Sequence, residues 1–550
     1  MKIVSVLFFC FFLFSCAQVV PPGGGPRDLQ APEAQKFSPS NAGTNFNQQE
    51  FSIYFNEYFN IKDQAGQWII SPPLRNAPDA VIKGKKLTVK FKDTLSPNAT
   101  YSFQFGNSIV DLHEGNPNPG LKYIFSTGPA LDSLVLQGRC INSFTKAPEK
   151  GLSVWLYHRE KALRDSFLFK EAPDYVAIAK EDGSFLINYL PQKEFFALAI
   201  RDVNKNFRFD PPEELVGFLP YFVFPEKNEK LLLECFEEEK PQFVKKVTTP
   251  EPGKVVINFN RPAKKLSYSW LKPSASSTIF MEHNNGKDTL TLLFHQTGVD
   301  TLKLILRDEG MKEDTVEVAV YDEDYFNQNQ TASKKRLVLA NKPKVNVAFQ
   351  NGSLPPDRAL TLEWARPVKS WNKDSLQILL RKKPVSFTLQ QDSASTRKVV
   401  IKHDWIEDSV YTLLGFPGLV SDYYNKKADS LKVSFRIKPE SETGNLMLEI
   451  PLPDSSAAAD AAYLVDLLNE KGAVVQHWQT KLPIKHSFEL LEPGTYSLRT
   501  IEDTNQNGTW DPGKMQEKKS PEKVWLSSKG LLVKASWDLE EKVAWQKLKP

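Results

Sequence analysis

The sequence predicts an all-β protein in which several β-sandwiches follow one another in an elongated array. The first observation is that short runs of alternating apolar and polar residues, such as Phe51–Phe55, Leu87–Phe91 and Tyr101–Phe105, fill most of the chain from Phe37 onward. The second is that Pro, Gly, Asn and Asp separate these runs, which is the pattern of half-buried strands joined by turns. The third is internal repetition at the scale of a domain. Only Ala457–Asn469 is compatible with a helix, and it is equally compatible with a loop that leads into a strand.

The segment before Cys16 predicts an export signal and not a part of the fold. Lys2 is followed by a mainly apolar run, Ile3–Phe14, which is too short to cross a bilayer as a mature helix. Two interpretations are open: acylation of Cys16 after cleavage, or an ordinary secretory signal followed by an incidental cysteine. Acyl chains would hold the protein at a membrane, because each buried methylene contributes about 0.8 kcal/mol.

The next segment and the overall composition predict soluble domains on a tether. The stretch after Cys16 contains Pro21–Pro26, a run of only Pro and Gly that cannot build a core. The chain has 550 residues, 25% of them charged, and a formal net charge of +4. Its charge is small and scattered, which indicates no nucleic-acid partner. No later apolar run approaches the length of a membrane span.

Similar segments predict three related modules. Each has an early strand that ends on an aromatic residue, within Glu50–Asn56, Lys254–Pro262 and Ala359–Pro367. The first and third also share a late segment, Val110–Asn116 and Val420–Asn425, and a closing strand follows each. Repetition of this kind indicates copies of one sandwich.

Several short motifs mark the first of these modules: Ser38-Pro39, Phe55-Asn56-Glu57, Leu95–Tyr101, Val110-Asp111 and Phe125–Thr127. With them the module resembles the bacterial Ig-like domain of S-layer proteins. Leu13–Cys16 is similar to the lipobox of bacterial lipoproteins, and Pro21–Asp28 resembles the start of lipoproteins of the Bacteroidetes type. The resemblance implies Ig-like modules behind a lipid attached to Cys16.

A second type of module alternates with the first. Its motifs are Leu136–Arg139, Gly151–Leu156, Asp182–Phe185 and Leu190-Pro191, with a C-terminal counterpart in Ser487–Tyr496. It resembles the transthyretin-like sandwich that accompanies carboxypeptidases and surface adhesins. We interpret the chain as a duplicated pair of Ig-like and transthyretin-like modules around a middle module.

These observations predict a division into a signal peptide, a tether and five domains. In chain order the predicted segments are the signal peptide (1–15), the Gly/Pro-rich tether (16–35), an Ig-like domain (36–129), a transthyretin-like domain (130–241), an Ig-like middle domain (242–336), an Ig-like domain (337–440) and a transthyretin-like C-terminal domain (441–550).

Each transthyretin-like module contains a loop rich in Asp and Asn. Oxygen-bearing side chains stand at relative positions one, three, five and nine, which suits Ca²⁺ because this ion takes about six to eight oxygen ligands. The candidate metal ligands are Asp202, Asn204, Asn206, Asp210 and, at position twelve, Glu213 in the first loop, and Asp503, Asn505, Asn507 and Asp511 in the second. The alternative is a hairpin loop whose Asp and Asn side chains hydrogen-bond their own backbone. Phe207 occupies the position that favours Gly, and Lys514 stands at position twelve of the second loop.

The cysteines allow one candidate disulfide. Cys10 leaves with the predicted signal and Cys16 is the predicted lipidation site, so Cys140 and Cys235 remain. Exported proteins can keep disulfides. The two residues are expected in the opening and closing strands of one module, and either a disulfide or two buried, unlinked thiols fits that placement.

Catalytic signatures are absent from the sequence. There is no paired-histidine metal motif, nucleophile elbow, P-loop or dinucleotide fingerprint. Asp111 and Asp422 occupy matching places in a repeat, which favours a shared loop over acid–base chemistry. We therefore expect no enzyme but a lipid-anchored outer-membrane protein with a structural, adhesive or assembly role, on either the periplasmic or the cell-surface face.

The expected partners are the membrane, through the lipid, and envelope proteins or glycans. Two other functions stay open at this point. A glycan-binding accessory lipoprotein would show a line of exposed aromatic side chains on one sandwich face. An enzyme would need a cleft with converging polar groups at a domain junction.

Overall fold

The computed structural model describes most of the chain after residue 27. The described residues are 28–227, 229–272, 278–284, 286–322, 324–325, 344–345, 353–392, 395–423, 427–458 and 460–548. The predicted signal peptide, Cys16 and most of the tether lie outside them, as does the predicted boundary at residues 336 and 337. No helix within the described part of the chain is long and apolar enough to cross a membrane.

The prediction of an all-β protein built from tandem β-sandwiches is confirmed. The chain forms two compact units that divide between Phe236 and Glu237. Short helices accompany the strands: Gln64–Gln67, Arg159–Ala162 and Phe167–Lys170 are one-turn α-helices, and Pro225–Lys227, Lys373–Ser375 and Glu440–Glu442 are 3-10 turns. The sequence analysis did not predict them, because a single turn leaves no recognisable period.

The N-terminal sandwich opens the first unit. Its strands are β1 (Ala34–Ser38), β2 (Glu50–Phe55), β3 (Phe59–Ile61), β4 (Ile69–Ser71), β5 (Asp79–Lys83), β6 (Lys86–Lys90), β7 (Thr100–Gln104), β8 (Ile109–Asp111) and β9 (Lys122–Ser126). One sheet has the order β1-β2-β6-β5, and the facing sheet has the order β4-β7-β9. Alternate residues of β2 and β7, such as Phe51, Ile53 and Phe103, point between the sheets into an aromatic-rich core.

A seven-stranded sheet completes the first unit. Its strands are β10 (Leu134–Asn142), β11 (Ser153–His158), β12 (Tyr175–Ile178), β13 (Ser184–Leu190), β14 (Phe195–Ile200), β15 (Val216–Phe218) and β16 (Lys230–Phe236). Their order is β12-β11-β14-β15-β16-β10-β13. The two end strands contribute to the same core, Tyr175 from β12 and Phe185 from β13, so the sheet wraps around its apolar side chains.

The central sandwich opens the second unit. Its strands are β17 (Val244–Glu251), β18 (Lys254–Phe259), β19 (Ser267–Lys272), β20 (Ile279–His283), β21 (Thr289–Phe294), β22 (Asp300–Arg307) and β23 (Asp314–Val320). The sheet β17-β18-β21-β20 faces the sheet β19-β22-β23. Val255 and Leu304, on opposite sheets, lie in one core.

The third sandwich follows. Its strands are β24 (Lys344–Val345), β25 (Ser353–Leu354), β26 (Leu360–Glu363), β27 (Val368–Trp371), β28 (Leu376–Leu380), β29 (Lys383–Val385), β30 (Thr388–Gln391), β31 (Lys398–Lys402), β32 (Val410–Gly415), β33 (Val420–Asp422) and β34 (Leu431–Ile437). The order β24-β26-β31-β30 corresponds to that of the first sheet of the N-terminal sandwich, and the small ladder β27-β33 corresponds to β3-β8. This shared pairing agrees with the repeat seen in the sequence.

The C-terminal sandwich ends the second unit. Its strands are β35 (Gly444–Ile450), β36 (Ala462–Leu468), β37 (Val474–Thr480), β38 (Ile484–Leu491), β39 (Gly494–Asp503), β40 (Val524–Leu526), β41 (Leu531–Val533) and β42 (Asp538–Lys542). The opening strand β35 pairs in parallel with the last strand β42 and antiparallel with β38. In the seven-stranded sheet, β10 pairs with β16 and β13 in the same way.

The described residues of the stretch Ala457–Asn469, which are all but residue 459, form no helix. Turns lead into strand β36, which begins at Ala462. Tyr463, Val465 and Leu467 alternate into the core of the C-terminal sandwich, and β37 and β39 flank the strand on both sides. Tertiary pairing therefore overrides the helix propensity of the Ala-rich sequence.

Candidate functional site

The two Asp/Asn loops occupy the same place in their modules. The first connects β14 to β15, and the second connects β39 to β40. All residues of β14 are buried, and Asp202 lies two residues beyond its end, whereas Asp503 is the last of four consecutive buried residues that end β39. The matching placement explains why two distant segments carry the same residue pattern.

The leading aspartate of each loop holds the backbone of the turn that follows it. Asp202 Oδ1 accepts the Asn206 N–H at 3.1 Å, and Asp202 Oδ2 accepts the Phe207 N–H at 3.0 Å. Asp503 accepts the Asn507 N–H at 3.1 Å and the Gly508 N–H at 2.9 Å in the same arrangement. The two carboxylates therefore organise closely similar turns.

The asparagines close each loop onto its last aspartate. Asn204 Nδ2 and Asn206 Nδ2 donate to Asp210 Oδ2 at 2.7 and 2.9 Å. Asn505 Nδ2 and Asn507 Nδ2 donate to Asp511 Oδ2 in the second loop. The four predicted side chains of each loop thus come together, and two asparagine amides satisfy one oxygen of the last carboxylate.

One buried glutamate, which the sequence pattern does not single out, holds each loop in place by hydrogen bonds. Glu214 Oε2 accepts the Asp210 N–H at 2.9 Å, and Glu214 Oε1 accepts the Val203 N–H at 3.3 Å. Burial raises the pKa of Glu214. The predicted ligand Glu213 is exposed and takes no part in this network.

Glu522 has the same role in the second loop. Its carboxylate accepts the Thr504 N–H at 2.8 Å and the Asp511 N–H at 3.1 Å. Glu214 lies four residues after Asp210, whereas Glu522 lies eleven residues after Asp511. Because the spacing differs, no fixed sequence pattern could have aligned the two glutamates.

The backbone of both loops adopts left-handed conformations at matching positions. Phe207 has φ 56° where the second loop has Gly508 at φ 77°. A phenylalanine there costs more than a glycine, because its Cβ crowds the following carbonyl. The Phe207 ring lies 6.1 Å from the Trp155 ring, a contact that offsets part of this cost.

The donor types of the loops fit Ca²⁺, but the amide orientation would have to change. In this structure the nitrogens of Asn204 and Asn206, and not their oxygens, face Asp210 Oδ2. A half-turn of each amide would present oxygen instead, at the loss of the bonds that Asn204 Oδ1 and Asn206 Oδ1 accept from the backbone. Among the described residues, no group of three or more His, Cys, Asp and Glu side chains is placed to hold a metal ion.

The second loop has a further competitor for any cation. Lys264 Nζ lies 3.7 Å from Asp511 Oδ1 and 2.9 Å from Glu239 Oε1. Lys514 pairs with Glu517 and does not reach the loop centre. A positive charge beside Asp511 disfavours a metal ion there by like-charge repulsion.

The two remaining cysteines are neighbours in the seven-stranded sheet. Strands β10 and β16 are parallel partners, and Cys140 pairs with Leu233 while Asn142 pairs with Cys235. Both residues are buried, free thiols. A hydrogen bond with the Cys140 thiol, together with burial, raises the pKa of Cys235. The disulfide stays a prediction.

Asp111 and Asp422, which occupy matching places in the sequence repeat, are buried structural groups. Asp111 Oδ2 accepts the Glu114 N–H at 2.8 Å and Asp111 Oδ1 accepts the His113 N–H at 3.1 Å, and the Glu114 bond contributes most to lowering the pKa of Asp111. Asp422 Oδ2 lies 3.6 Å from Arg366 Nη1, with both side chains buried. Their roles thus differ although their places in the fold match.

The tryptophans considered for sugar stacking pack within their modules. Trp371 and Trp405 contribute to the core of the third sandwich, and Trp478 to that of the C-terminal sandwich. Trp510 is half-buried and donates from Nε1 to the Glu522 carbonyl at 3.0 Å. None of these four forms an exposed line on a sheet face.

Comparison with known families gives one assignment. The family model "Bacterial Ig-like domain" matches residues 28–127. This confirms the Ig-like interpretation of the first module. The matched residues are about a fifth of the chain. No curated protein sequence matches the chain.

Three solved structures match the chain at low similarity. The S-layer protein rSbsC(31-844) has 11% identity and a TM-score of 0.13, covering 93% of this chain and 68% of that one. BcpA, the major pilin subunit of Bacillus cereus, has 8% identity and a TM-score of 0.13, covering 75% and 99%. The Bacteroides ovatus protein SGBP-B, solved with a mixed-linkage heptasaccharide, has 8% identity and a TM-score of 0.19, covering 64% and 87%. Similarity at this level concerns the fold and carries no argument about function.

Proposed function

We propose that the protein is a non-catalytic, lipid-anchored envelope protein with a structural, adhesive or assembly role. One observation carries this proposal: the acidic side chains of the two Asp/Asn loops, the strongest candidates for chemistry in the sequence, accept hydrogen bonds from the backbone of their own loops. The buried Asp111 and Asp422 are likewise engaged within their modules. The export-type segment before Cys16 and the Ig-like first module support an envelope location.

Replacing Cys16 with alanine is expected to abolish recovery of the protein in the membrane fraction, because the acyl chains would have no attachment point. The matched control is Cys10→Ala, which removes a cysteine from the apolar run of the same signal and is expected to leave recovery unchanged. Fractionation followed by mass spectrometry of the N-terminal peptide measures both results. An unmodified mature Cys16 in the wild-type protein would contradict the anchor.

We also propose that the first loop binds Ca²⁺ weakly. The favouring observation is that Asp202, Asn204, Asn206 and Asp210 converge on one turn whose backbone is already organised. With Glu213 outside the network, the loop offers two carboxylates, so affinity is expected in the range of extracellular modules, with a Kd of roughly 10⁻⁴ to 10⁻³ M. Lys264 beside Asp511 makes the second loop the weaker of the two.

Calorimetric titration of the mature chain with Ca²⁺ is expected to give a heat of binding that Asp210→Asn removes and Asp511→Asn largely preserves. Ca²⁺ should also raise the Tm, because a ligand that binds the folded state stabilises it in proportion to RT ln(1 + [L]/Kd). Asp165→Asn is the control, since Asp165 is an exposed carboxylate of the same module. If millimolar Ca²⁺ gives no heat of binding and no change in Tm, the loop does not bind Ca²⁺ and the hairpin-loop interpretation is correct.

A further inference from the structure

The outer face of the sheet β1-β2-β6-β5 carries a row of basic residues around one tyrosine. Tyr54 pairs with Lys36 of β1 on one side and with Lys86 of β6 on the other, and Lys86 pairs with Lys83 of β5. Residues that are directly opposite in antiparallel strands point to the same face. Lys36, Tyr54, Lys86 and Lys83 therefore form one continuous row across all four strands, which we call the basic row.

Among the described residues, none of the lysines in the basic row has an acidic partner. Lys36 Nζ and Lys86 Nζ lie 5.9 and 5.4 Å from the centroid of the Tyr54 ring, one on each side. Within the described ranges, no ion pair involves Lys36, Lys83 or Lys86. Like charges on neighbouring strands repel one another, so the row is an uncompensated positive strip that favours an anionic ligand.

The opposite end of the same face is neutralised. Lys90 pairs with Glu50 at 3.5 Å, and Lys92 pairs with Asp79 at 2.7 Å. The positive charge is therefore concentrated at one end of the four strands and is not spread over the whole face. This contrast also supplies lysines of the same sheet that can serve as controls.

A row of hydroxyl groups lies between the two ends. Ser52 pairs with Ser38 and with Thr88 in the register of the sheet, and Ser52 Oγ lies 3.1 Å from Thr88 Oγ1. These groups can both donate and accept hydrogen bonds. Ser52 is buried, Thr88 is half-buried and Ser38 is exposed. The face therefore offers charge, an aromatic ring and the hydroxyl groups of Ser38 and Thr88.

We infer that this face binds an acidic polysaccharide, a sugar polymer that bears carboxylate groups. Strands are about 4.8 Å apart, so the four-strand row extends for about 14 Å and matches a ligand with repeated charges better than a single ion. The Tyr54 ring and the lysine stems provide apolar contact for sugar rings, and the Ser38 and Thr88 hydroxyls suit sugar hydroxyls. An anionic membrane is the poorer fit, because Glu50 and Asp79 belong to the same face.

The inference adds a ligand class to the proposed function. It rests on the proposed envelope location but does not require that Cys16 is acylated. It is tested on a chain that starts at Ala17 and therefore lacks the predicted lipidation site, Cys16. Failure of the Cys16 experiment therefore has no effect on its outcome. Polygalacturonate is the acidic probe, and dextran is the neutral polymer of comparison.

Affinity electrophoresis and calorimetry are expected to show binding of the wild-type chain to polygalacturonate, none to dextran, and loss of binding as salt is raised. The double variant Lys36→Gln with Lys86→Gln is expected to bind about tenfold more weakly, because two lysine–carboxylate contacts are lost. The control, Lys90→Gln with Lys92→Gln, removes the same charge from the opposite end and is expected to retain most of the affinity. Thermal melts verify that both variants remain folded.

Three results would overturn the inference. The first is no binding of the wild-type chain to polygalacturonate. The second is an equal loss in the control variant, which would reduce the effect to net charge. The third is binding to vesicles of anionic phospholipid in place of the polysaccharide, which would identify a membrane contact.

Tyr54→Ser should weaken binding further than Tyr54→Phe, since only the latter keeps the ring that the lysines flank.

Discussion

Replacing Asp422 with alanine is expected to lower the free energy of unfolding of the third sandwich by about 3–5 kcal/mol, because it leaves a buried arginine without its carboxylate. Arg366 Nη1 and Asp422 Oδ2 lie 3.6 Å apart, and their side chains are 9% and 2% exposed. Val368, two residues after Arg366, pairs with Asp422 in the ladder β27-β33, so the sheet fixes both partners. Chemical denaturation of the mature chain measures the change.

The double variant Arg366→Leu with Asp422→Leu separates the charge from the packing. It is expected to be less destabilised than Asp422→Ala, because it removes both buried charges and replaces them with apolar groups. The single variants Arg366→Leu and Asp422→Leu are measured for comparison. If the destabilisation of the double variant equals the sum of theirs, the two residues do not act as a pair. Asp422 would then have a purely local role, as Asp111 has in the N-terminal sandwich.

Replacing Glu214 with alanine is expected to destabilise the first Asp/Asn loop by about 2–3 kcal/mol. The change removes the charged acceptor of two backbone N–H groups, those of Val203 and Asp210, and hydrogen bonds to charged groups contribute about 1.5–3 kcal/mol. Hydrogen exchange of the Val203 and Asp210 amides, with thermal melts of the mature chain, measures the effect.

The neighbouring glutamate provides the control. Glu213 is exposed, and Glu213→Ala is expected to leave the melting temperature nearly unchanged in the absence of Ca²⁺. Equal destabilisation by the two variants would contradict the assignment of Glu214 as the residue that fastens the loop. If Glu213→Ala alone lowered Ca²⁺ affinity, position twelve would instead be a metal ligand.

Much of the fold follows from local alternation. The runs around Phe51, Leu87 and Tyr101 become β2, β6 and β7. The early strand ends on its aromatic residue in the first two repeated segments, and in the third it ends at Glu363, one residue before the aromatic. Alternation is readable because successive side chains of a strand point to opposite faces, whatever the strand pairs with. Of the two alternatives for the Ala-rich stretch before β36, the loop that leads into a strand is the one found, because propensity is a weak signal when neighbouring strands compete for the segment.

The sequence by itself also determined the Asp/Asn turns, since Asp202 and Asp503 bond to amides four and five residues ahead, within one loop. Only the tertiary structure decided which glutamate fastens each loop, that Lys264 stands beside Asp511, and that Lys36, Tyr54, Lys86 and Lys83 share one row. The physical reason is range. A turn closes on hydrogen bonds between near neighbours in the chain, whereas a cross-strand row depends on the register of strands far apart in sequence, which burial of the whole core fixes.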